Sequence, residues 1–522
     1  MGIYLNPNNQ SYFETYNSPI FVDKSMLIDY SNQVISTTQK AFCVSRPRRF
    51  GKSTDANMLV AYYSKGCDSH TLFDSLKIAQ TPNYLKHLNK HNVIHLNMQE
   101  FLSFTHDVNQ MLDLLTKRVL REIIRVFPID YFDETNLIMC LNDLFSIQEE
   151  KFVFVIDEWD CIFREFKERK EDQERYLDFL RNLLKDKSYV ELVYMTGILP
   201  IKKYGTHSAL NMFDEISMVD PTPLENFMGF TEKEVETLCK ENNVDYKVIK
   251  QWYDGYYLTK NVSVFSPRSV VASITRGSFS NYWNNTETYE ALQHYIDLNF
   301  DGLKEVIIKM IAREKININT EKFQNDMTTF NSKDDVLTLL IHLGYLTYNQ
   351  DTKQCFIPNQ EVISSFINSI ENSSWQYTTK ALLNSKELLE ATLKGDEEKV
   401  AKYIEEAHLE TSIFQYNDEN ALSYTLYLAY YAAKDDYTII KEMPTGKGRA
   451  DLVFIPRKDK PAMIIELKWN QTTKTALKQI KDKDYHYVLK QYLDNLLLVG
   501  ISYDDKTKQH TCKIEKYKEQ IV

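Results

Sequence analysis

Arg46-Pro47-Arg48-Arg49-Phe50-Gly51-Lys52-Ser53 follows the apolar run Ala41-Phe42-Cys43-Val44-Ser45, and a helix should start near Gly51. A segment that leaves a strand and ends in Gly-Lys-Ser at a helix start has the chemistry of a phosphate-binding loop. Consecutive backbone N–H groups surround phosphate oxygens, the lysine meets the outer phosphates and the hydroxyl binds Mg²⁺. Pro47, Arg48, Arg49, Phe50, Gly51, Lys52 and Ser53 are therefore the candidate nucleotide-binding residues. Arg46 stands where the G-x-x-x-x-G-K-[ST] pattern has its first glycine, so the loop needs support from elsewhere in the chain.

Two later strands supply it. Phe152-Val153-Phe154-Val155-Ile156 is apolar and ends in Asp157-Glu158, where Asp157 can hold the magnesium shell and Glu158 can polarise an attacking water. The next strand ends at Met195-Thr196-Gly197, setting a hydroxyl beside the γ-phosphate. Three such features in the right order, each at the C-terminal end of a strand, are the ligand-binding edge of a parallel sheet. The plain alternative is that Asp157 and Glu158 only cap a helix.

Between residues 41 and 221 apolar strands alternate with amphipathic helices, which predicts a parallel sheet with helices on both faces. Strands are expected at Ala41–Ser45, Val93–Asn97, Phe152–Asp157, Glu191–Thr196 and Glu215–Val219, with helices over Asp107–Val126 and Asp172–Lys187. After Asp220-Pro221-Thr222-Pro223 the pattern changes to short helices, and Thr231-Glu232-Lys233-Glu234 reads as a capping box. A helix from Asp334 to Gly344, followed by Tyr345–Tyr348, a polar turn and Gln354–Ile357, suggests a winged helix, which could serve packing or dimerisation as readily as DNA contact. The division is then 1–222 for the nucleotide module, 223–295 for a lid, 296–375 for the winged-helix-like region, 376–410 for a helical linker and 411–522 for the last module.

That last module contains Gly448-Arg449-Ala450-Asp451, an apolar strand, a turn through Pro456–Pro461 and Ile464-Ile465-Glu466-Leu467-Lys468. Metal-assisted phosphodiester hydrolysis needs carboxylates to hold a hard cation and a positive group to steady the transition state. Glu466 and Lys468 are two apart on a strand and share a face, and the hairpin brings Asp451 alongside. Gln479 falls on the following helix, where Thr472–Lys483 carries lysines able to meet phosphates. Residues 441–490 hold 12 Lys+Arg against 6 Asp+Glu, although a solvated lysine-rich face has the same composition.

The chain has 522 residues, net charge -11, 43% hydrophobic and 26% charged residues. This is ordinary globular usage and excludes collagenous, disordered and disulfide-dense classes. The negative balance argues against a protein that coats nucleic acid over its whole surface. Its seven cysteines form no C-x-x-C pair, which fits a reducing, cytoplasmic setting. Residues 1–20 do not resemble a secretory signal, and the apolar stretch Ala421–Ala433 is too short to span a bilayer.

Phe21-Val22-Asp23-Lys24, Arg46–Ser53, Thr196–Gly205 and Trp252-Tyr253-Asp254-Gly255 together resemble the AAA-ATPase-like family of bacterial proteins that carry a C-terminal PD-(D/E)XK nuclease domain. An arginine in place of the first loop glycine is usual in that family. The resemblance implies a multidomain α/β fold: an AAA-like P-loop sheet, a helical lid, and a C-terminal restriction-endonuclease-like domain. It gives Lys52, Asp157, Glu158 and Thr196 their ATP-site roles, with Ser53 and Asp157 on magnesium, and leaves Arg48, Arg49 and Arg268 as arginine-finger candidates. It reads Asp451, Glu466, Lys468 and Gln479-Ile480 as the nuclease site, with Glu419 as a further metal carboxylate and Ala450 where proline is more typical. The expected cofactors are ATP and Mg²⁺, with Mn²⁺ an option at the nuclease site. The expected partner is nucleic acid, DNA rather than RNA, without a membrane, and a homo-oligomer is left open. The expected function is ATP-dependent DNA processing; the alternative is a nucleotide-gated interaction protein whose nuclease fold serves binding only.

Overall fold

The computed structural model describes residues 2–201, 210–283, 292, 294–296, 300–311, 313–325, 327–328, 330–371, 384–410, 426–427, 429–445, 448–457, 459–483 and 485–517. The chain forms two compact units, Met1–Glu287 with Lys315–Ser364 and Thr288–Glu314 with Ser365–Val522. Among the described residues no helix is long and apolar enough to cross a membrane.

The first unit is built on a five-stranded sheet. Its strands are β1 (Ala41–Ser45), β2 (Asn92–Asn97), β3 (Phe152–Asp157), β4 (Val190–Gly197) and β5 (Asp214–Ile216). The order is β2-β3-β4-β1-β5 and every pairing is parallel. Every residue of β1 and β3 is buried, as strands covered on both faces require. Helix α1 (Lys52–Tyr63) leaves the loop after β1. Helix α2 (Val108–Val126) is capped by Asp107, whose carboxylate accepts from Gln110 N, and buries Val108, Met111, Leu115, Val119 and Ile123, the three-and-four spacing of one apolar face. After β3 come α3 (Cys161–Glu165) and α4 (Lys170–Leu184).

Two of these elements end about three residues before the sequence expectation. Strand β5 ends at Ile216 instead of running to Val219, because Ser217 closes a turn: its N–H donates to Asp220 O at 2.7 Å, and its hydroxyl accepts from Val219 N and Asp220 N. Helix α4 stops at Leu184 where Lys185 turns extended.

Within residues 223–295, expected from the sequence to be a lid, lies α5 (Glu232–Glu241), whose capping box between Thr231 and Glu234 is present. It also holds a three-stranded antiparallel sheet of β6 (Phe230–Thr231), β7 (Tyr256–Thr259) and β8 (Val262–Phe265). Strands of two to four residues are too short to betray themselves by periodicity. The expected helix and hairpin form as β9 (Ile316–Asn317), α6 (Lys333–Leu343), β10 (Thr347–Asn349) and β11 (Gln354–Phe356), with sheet order β10-β11-β9. Gly344 ends α6 at φ +89°, and a Cβ there would lie 2.7 Å from Pro47 Cβ. Glycine is thus needed both for the left-handed turn and for the close approach of the phosphate loop.

The second unit carries α7 (Ser385–Lys394) and α8 (Glu397–Glu410), then a five-stranded sheet. Its strands are β12 (Tyr437–Thr445), β13 (Gly448–Pro456), β14 (Ala462–Trp469), β15 (Leu496–Asp504) and β16 (Gln509–Lys516), in sequential order. Only β14 and β15 run parallel, and α9 (Thr473–Asp482) lies in the crossover between them. One face packs Leu452, Phe454, Ile465 and Leu467 with Leu388, Val400 and Ile404 of α7 and α8. The other packs Val453, Ile464 and Leu498 with Leu477 and Ile480 of α9. Each fully buried side chain of this size contributes roughly 1.5–3 kcal/mol.

Candidate functional site

Chemistry-bearing residues gather in two places, one in each unit. In the first, the loop between β1 and α1 turns through two positive φ angles, Arg49 at +68° and Gly51 at +95°. Lys52 is 5% exposed, and its Nζ donates to Pro47 O of its own loop at 2.9 Å. Burial pushes its ammonium down, while Glu158, Asp157 and Asp160 pull it back toward the charged form. Ser53 Oγ donates to Asp157 Oδ2 at 2.6 Å. Asp157, at the end of β3, is held above the usual carboxylate range by burial, with the Ser53 hydrogen bond and Lys52 opposing. Hydroxyl and aspartate thus meet at the C-terminal edge of the sheet, with Lys52 close enough to feel the Asp157 charge.

The other predicted residues of this site are placed differently from one another. Glu158 has φ +53° and lies in an ion pair with Arg164 of α3. Thr196 is fully buried, and its hydroxyl donates to Val44 O at 3.0 Å across the parallel pair β1–β4. Arg46 is also fully buried, with its guanidinium donating to Ser45 O and Ile216 O. It braces β1 and β5 from beneath the loop, a structural use for the residue that replaces the first glycine. Arg49 donates to Tyr282 O; Arg48 is partly exposed and Arg268 is exposed. Phe50 is buried against the edge of the Tyr256 ring.

Beside the start of α1 a cavity is lined by Tyr12, Phe21, Phe50, Thr54, Phe227 and Phe230. Aromatic walls next to a phosphate loop suit a flat heterocycle. Asp55 and Lys24 also line it. Burial holds the Asp55 carboxyl well up, and Lys24 draws it partly back. Sequence reasoning missed this cavity because its walls come from segments more than 200 residues apart.

In the second unit, β13 and β14 pair in register from Phe454↔Met463 to Leu452↔Ile465. The next position would set Asp451 opposite Glu466, and there the ladder stops. Leu467 N donates to the Asp451 side chain at 2.7 Å, so the carboxylate takes the place of a backbone acceptor where the strands part. Glu466 is 1% exposed. Its Oε1 accepts from Lys468 Nζ at 3.2 Å and from Gln479 Nε2, while Oε2 is buried without a partner among the described residues. Its carboxyl is pushed up to about 7, first by burial and then by the Asp451 charge, with Lys468 opposing.

Gln479 reaches Glu466 because α9 lies close on β15 at Gly500, the residue paired with Glu466. A Cβ on Gly500 would come 2.8 Å from Thr473 O. The structure therefore assembles Asp451, Glu466, Lys468 and Gln479. Glu419 lies outside the described residues. Among the described residues no three His, Cys, Asp or Glu side chains form a group that could hold a metal. Lys474 and Lys478 on α9 are exposed.

The sequence matches known families over both regions. Residues 12–206 match the family described as Predicted AAA-ATPase, and residues 417–513 match the PD-(D/E)XK nuclease superfamily. A curated relative, "Uncharacterized protein in vnfD 5'region" of Azotobacter chroococcum mcd 1, is 24% identical over 276 residues, 51% of this chain and 51% of its own length. The chain thus spans about half the length of that relative. Among solved structures, the Aeropyrum pernix ORC2 protein in its ADPNP-ADP complexes aligns with TM-score 0.32 and 12% identity over 70% of this chain and 98% of that one. Cdc6p from Pyrobaculum aerophilum aligns with TM-score 0.27 and 11% identity, over 70% and 99%. Scores this low add nothing to the fold reading, which stands on the strand orders above. With its parallel sheet, phosphate loop and mixed C-terminal sheet matched in this way, the chain carries an AAA-ATPase-like domain over residues 12–206 and a PD-(D/E)XK nuclease superfamily domain over residues 417–513.

Proposed function

We propose that the chain binds and hydrolyses ATP at the Lys52 site and cleaves DNA phosphodiester bonds at the Asp451 and Glu466 site. The observation that carries the nuclease reading is Glu466: a buried carboxylate beside Asp451, with one oxygen held by Lys468 and Gln479 and the other without a partner among the described residues. Burying an unsatisfied carboxylate is expensive unless a cation completes it. Hard oxygen donors from two carboxylates suit Mg²⁺ or Mn²⁺. Such an ion, held by Asp451 and Glu466, would polarise the scissile phosphate and lower the pKa of a bound water. Lys468 steadies charge developing on the phosphate. Gln479 fixes the orientation of Glu466, and the exposed Lys474 and Lys478 meet the phosphate backbone on either side.

At the nucleotide site Ser53 and Asp157 would hold the magnesium that accompanies ATP, Lys52 would turn from Pro47 O to the outer phosphates, and the aromatic cavity would take the base. Glu158 orients the water. The water oxygen bonds to the γ-phosphorus, the bond from that phosphorus to the bridging oxygen breaks with its electron pair staying on ADP, and the water proton passes to Glu158.

The test is plasmid nicking with Mg²⁺ or Mn²⁺, comparing wild type with Asp451→Ala and Lys468→Ala. The expected outcome is cleavage by wild type alone, and equal activity in all three removes the nuclease assignment. The convergence of only two carboxylates among the described residues favours a second reading, a nucleotide-gated interaction protein. ATP turnover without cleavage under either metal would decide for it.

A further inference from the structure

The aromatic cavity beside the start of α1 carries a carboxyl that its surroundings do not satisfy. Asp55 sits in the first turn of α1, two residues past Ser53, and lines the cavity while being only 3% exposed. Its Oδ2 is buried without a hydrogen-bond partner among the described residues. Lys24, the cation on the same lining, is committed elsewhere: its Nζ donates to Asn226 O at 2.9 Å and to Glu234 Oε2 at 2.7 Å. Its charge draws Asp55 down, but burial prevails and holds the carboxyl well above its ordinary range. Tyr12 and Tyr194, which feel the Asp55 charge, are themselves pushed up by burial and stay neutral. A buried carboxyl in this state costs free energy until a ligand completes it. The walls that would hold a ligand against it are fixed. Gly229 N donates to Phe50 O at 3.0 Å, which ties the wall around Phe227 and Phe230 to the phosphate loop, and the Tyr12 ring stacks on Phe73 with centroids 5.2 Å apart.

We infer that Asp55 is the residue that selects the base: a neutral carboxyl whose C=O accepts from the exocyclic amino group of adenine and whose O–H donates to the ring nitrogen beside it. The inference rests on the reading above, in which the aromatic cavity takes the base of the nucleotide. Stacking on aromatic walls is indifferent to which base is present, because every base has a π-face. Selection needs a polar group at the base edge, and a site built to bond a ligand N–H rejects the analogue that lacks it. Asp55 is the acidic group on this lining. A carboxylate has acceptors alone and suits the adjacent N–H donors of guanine; a carboxylic acid has one donor and one acceptor and suits the amino group and neighbouring ring nitrogen of adenine. Burial beside a lysine already paired with Glu234 favours the acid.

The experiment is competition binding to the full chain, in which ATP, GTP and purine riboside triphosphate displace an ATP analogue labelled on its ribose. Purine riboside triphosphate is ATP with hydrogen in place of the amino group. Wild type is expected to bind ATP about tenfold more tightly than purine riboside triphosphate, the effect of leaving one buried hydrogen-bond partner unmade, and more tightly than GTP. Asp55→Asn, whose amide also offers one donor and one acceptor, should keep the preference for ATP over purine riboside triphosphate. Asp55→Leu, and Asp55→Ala which adds no bulk, should bring the two affinities within about twofold of each other by weakening ATP alone. Equal wild-type affinity for ATP and purine riboside triphosphate overturns the inference, and that comparison needs no variant to fold. A tenfold preference that survives in Asp55→Ala also overturns it, since another group then reads the amino group. Tighter binding of GTP than ATP overturns it as well, because the carboxyl is then acting ionised. If Phe21→Ala and Phe230→Ala leave ATP affinity unchanged, the base is not in the cavity, and the reading on which the inference rests has failed instead.

Discussion

Metal binding at the nuclease site is expected to depend steeply on pH, because Glu466 must ionise to act as a ligand. Its carboxyl is pushed up from 4.5 to about 7 by burial and by Asp451. With that value the neutral fraction is about 0.9 at pH 6 and about 0.1 at pH 8. Mn²⁺ affinity should therefore strengthen about tenfold per unit, or about 1.4 kcal/mol, as pH rises toward about 7, and level off above it. Binding should release about 0.9 proton at pH 6 and about 0.1 at pH 8. Folding responds with the opposite sign. In the metal-free protein the folded state binds the extra proton between 4.5 and about 7, so this group's contribution is fully present below 4.5 and is lost as pH rises through about 7, a span of about 3 kcal/mol. The assay is calorimetric titration of the nucleotide-free chain with MnCl₂ at pH 6, 7 and 8, in buffers of different ionisation enthalpy that count released protons. Glu466→Gln should remove both the strong binding and its pH dependence. Affinity that stays flat from pH 6 to 8 without proton release, or a Glu466→Gln isotherm that matches wild type, refutes the reasoning.

Three further outcomes follow from single contacts. Gly500→Ala places a methyl 2.8 Å from Thr473 O; overpacking of this kind costs about 1–3 kcal/mol, so the melting temperature should fall together with metal-dependent cleavage, and an unchanged melt would show that α9 can give way. Replacing both Lys474 and Lys478 by Ala should weaken DNA binding and lower the slope of log affinity against log salt by about 2, measured by fluorescence anisotropy; an unchanged slope would remove α9 from the interface. Glu361 is fully buried and accepts from Ser269 Oγ, Tyr282 N and Trp283 N, with its carboxyl pushed up to about 7 by burial. Its contribution to stability is likewise lost as pH rises through about 7, so the melting temperature of Glu361→Gln should gain on wild type between pH 5 and pH 8, and parallel profiles would refute that assignment.

How far the sequence could be read depended on how local each signal was. The phosphate loop and the strand ending in Asp157 are contiguous segments whose side chains need only a parallel sheet to meet; Ser53 does bond Asp157, and Lys52 lies near enough to feel the Asp157 charge. Thr196 was legible as a strand end but not in its partner, since a hydroxyl in a central strand can donate to the neighbouring carbonyl, here Val44 O. Arg164 escaped notice because an arginine near the end of a five-residue helix has no pattern of its own. Its meaning comes from Glu158 and Asp160, which a tight turn folds back onto it. The cavity walls beside α1 were out of reach for the same reason at longer range, since Tyr12 and Phe227 are brought together only by the tertiary fold.

The C-terminal site shows where spacing stops being sufficient. Alternation puts Glu466 and Lys468 on one face and a hairpin brings Asp451 near, but an uninterrupted ladder would tie Asp451 into ordinary pairing beside Glu466. The pairing of β13 with β12 continues through Met443↔Ala450 to Thr445↔Gly448, whereas its pairing with β14 ends at Leu452↔Ile465. Glu442, in the position facing Asp451 on β12, adopts φ +49°, and the β12–β13 register steps over this pair from Lys441↔Leu452 to Met443↔Ala450. The parting leaves Leu467 N without a backbone acceptor, and Asp451 supplies one. A short side chain anchored in this way is held at a fixed depth, and it is this anchoring, more than the identity of the residues, that keeps Asp451 close enough for Glu466 to feel its charge. Asp451→Asn tests the point: the amide oxygen can still accept from Leu467 N, so the strand ends should stay parted and the melting temperature near wild type, while the raised value of Glu466 relaxes downward once the neighbouring charge is gone. If the variant instead unfolds at markedly lower temperature, the charge of Asp451 is holding the sheet together, and the notch is not set by backbone geometry.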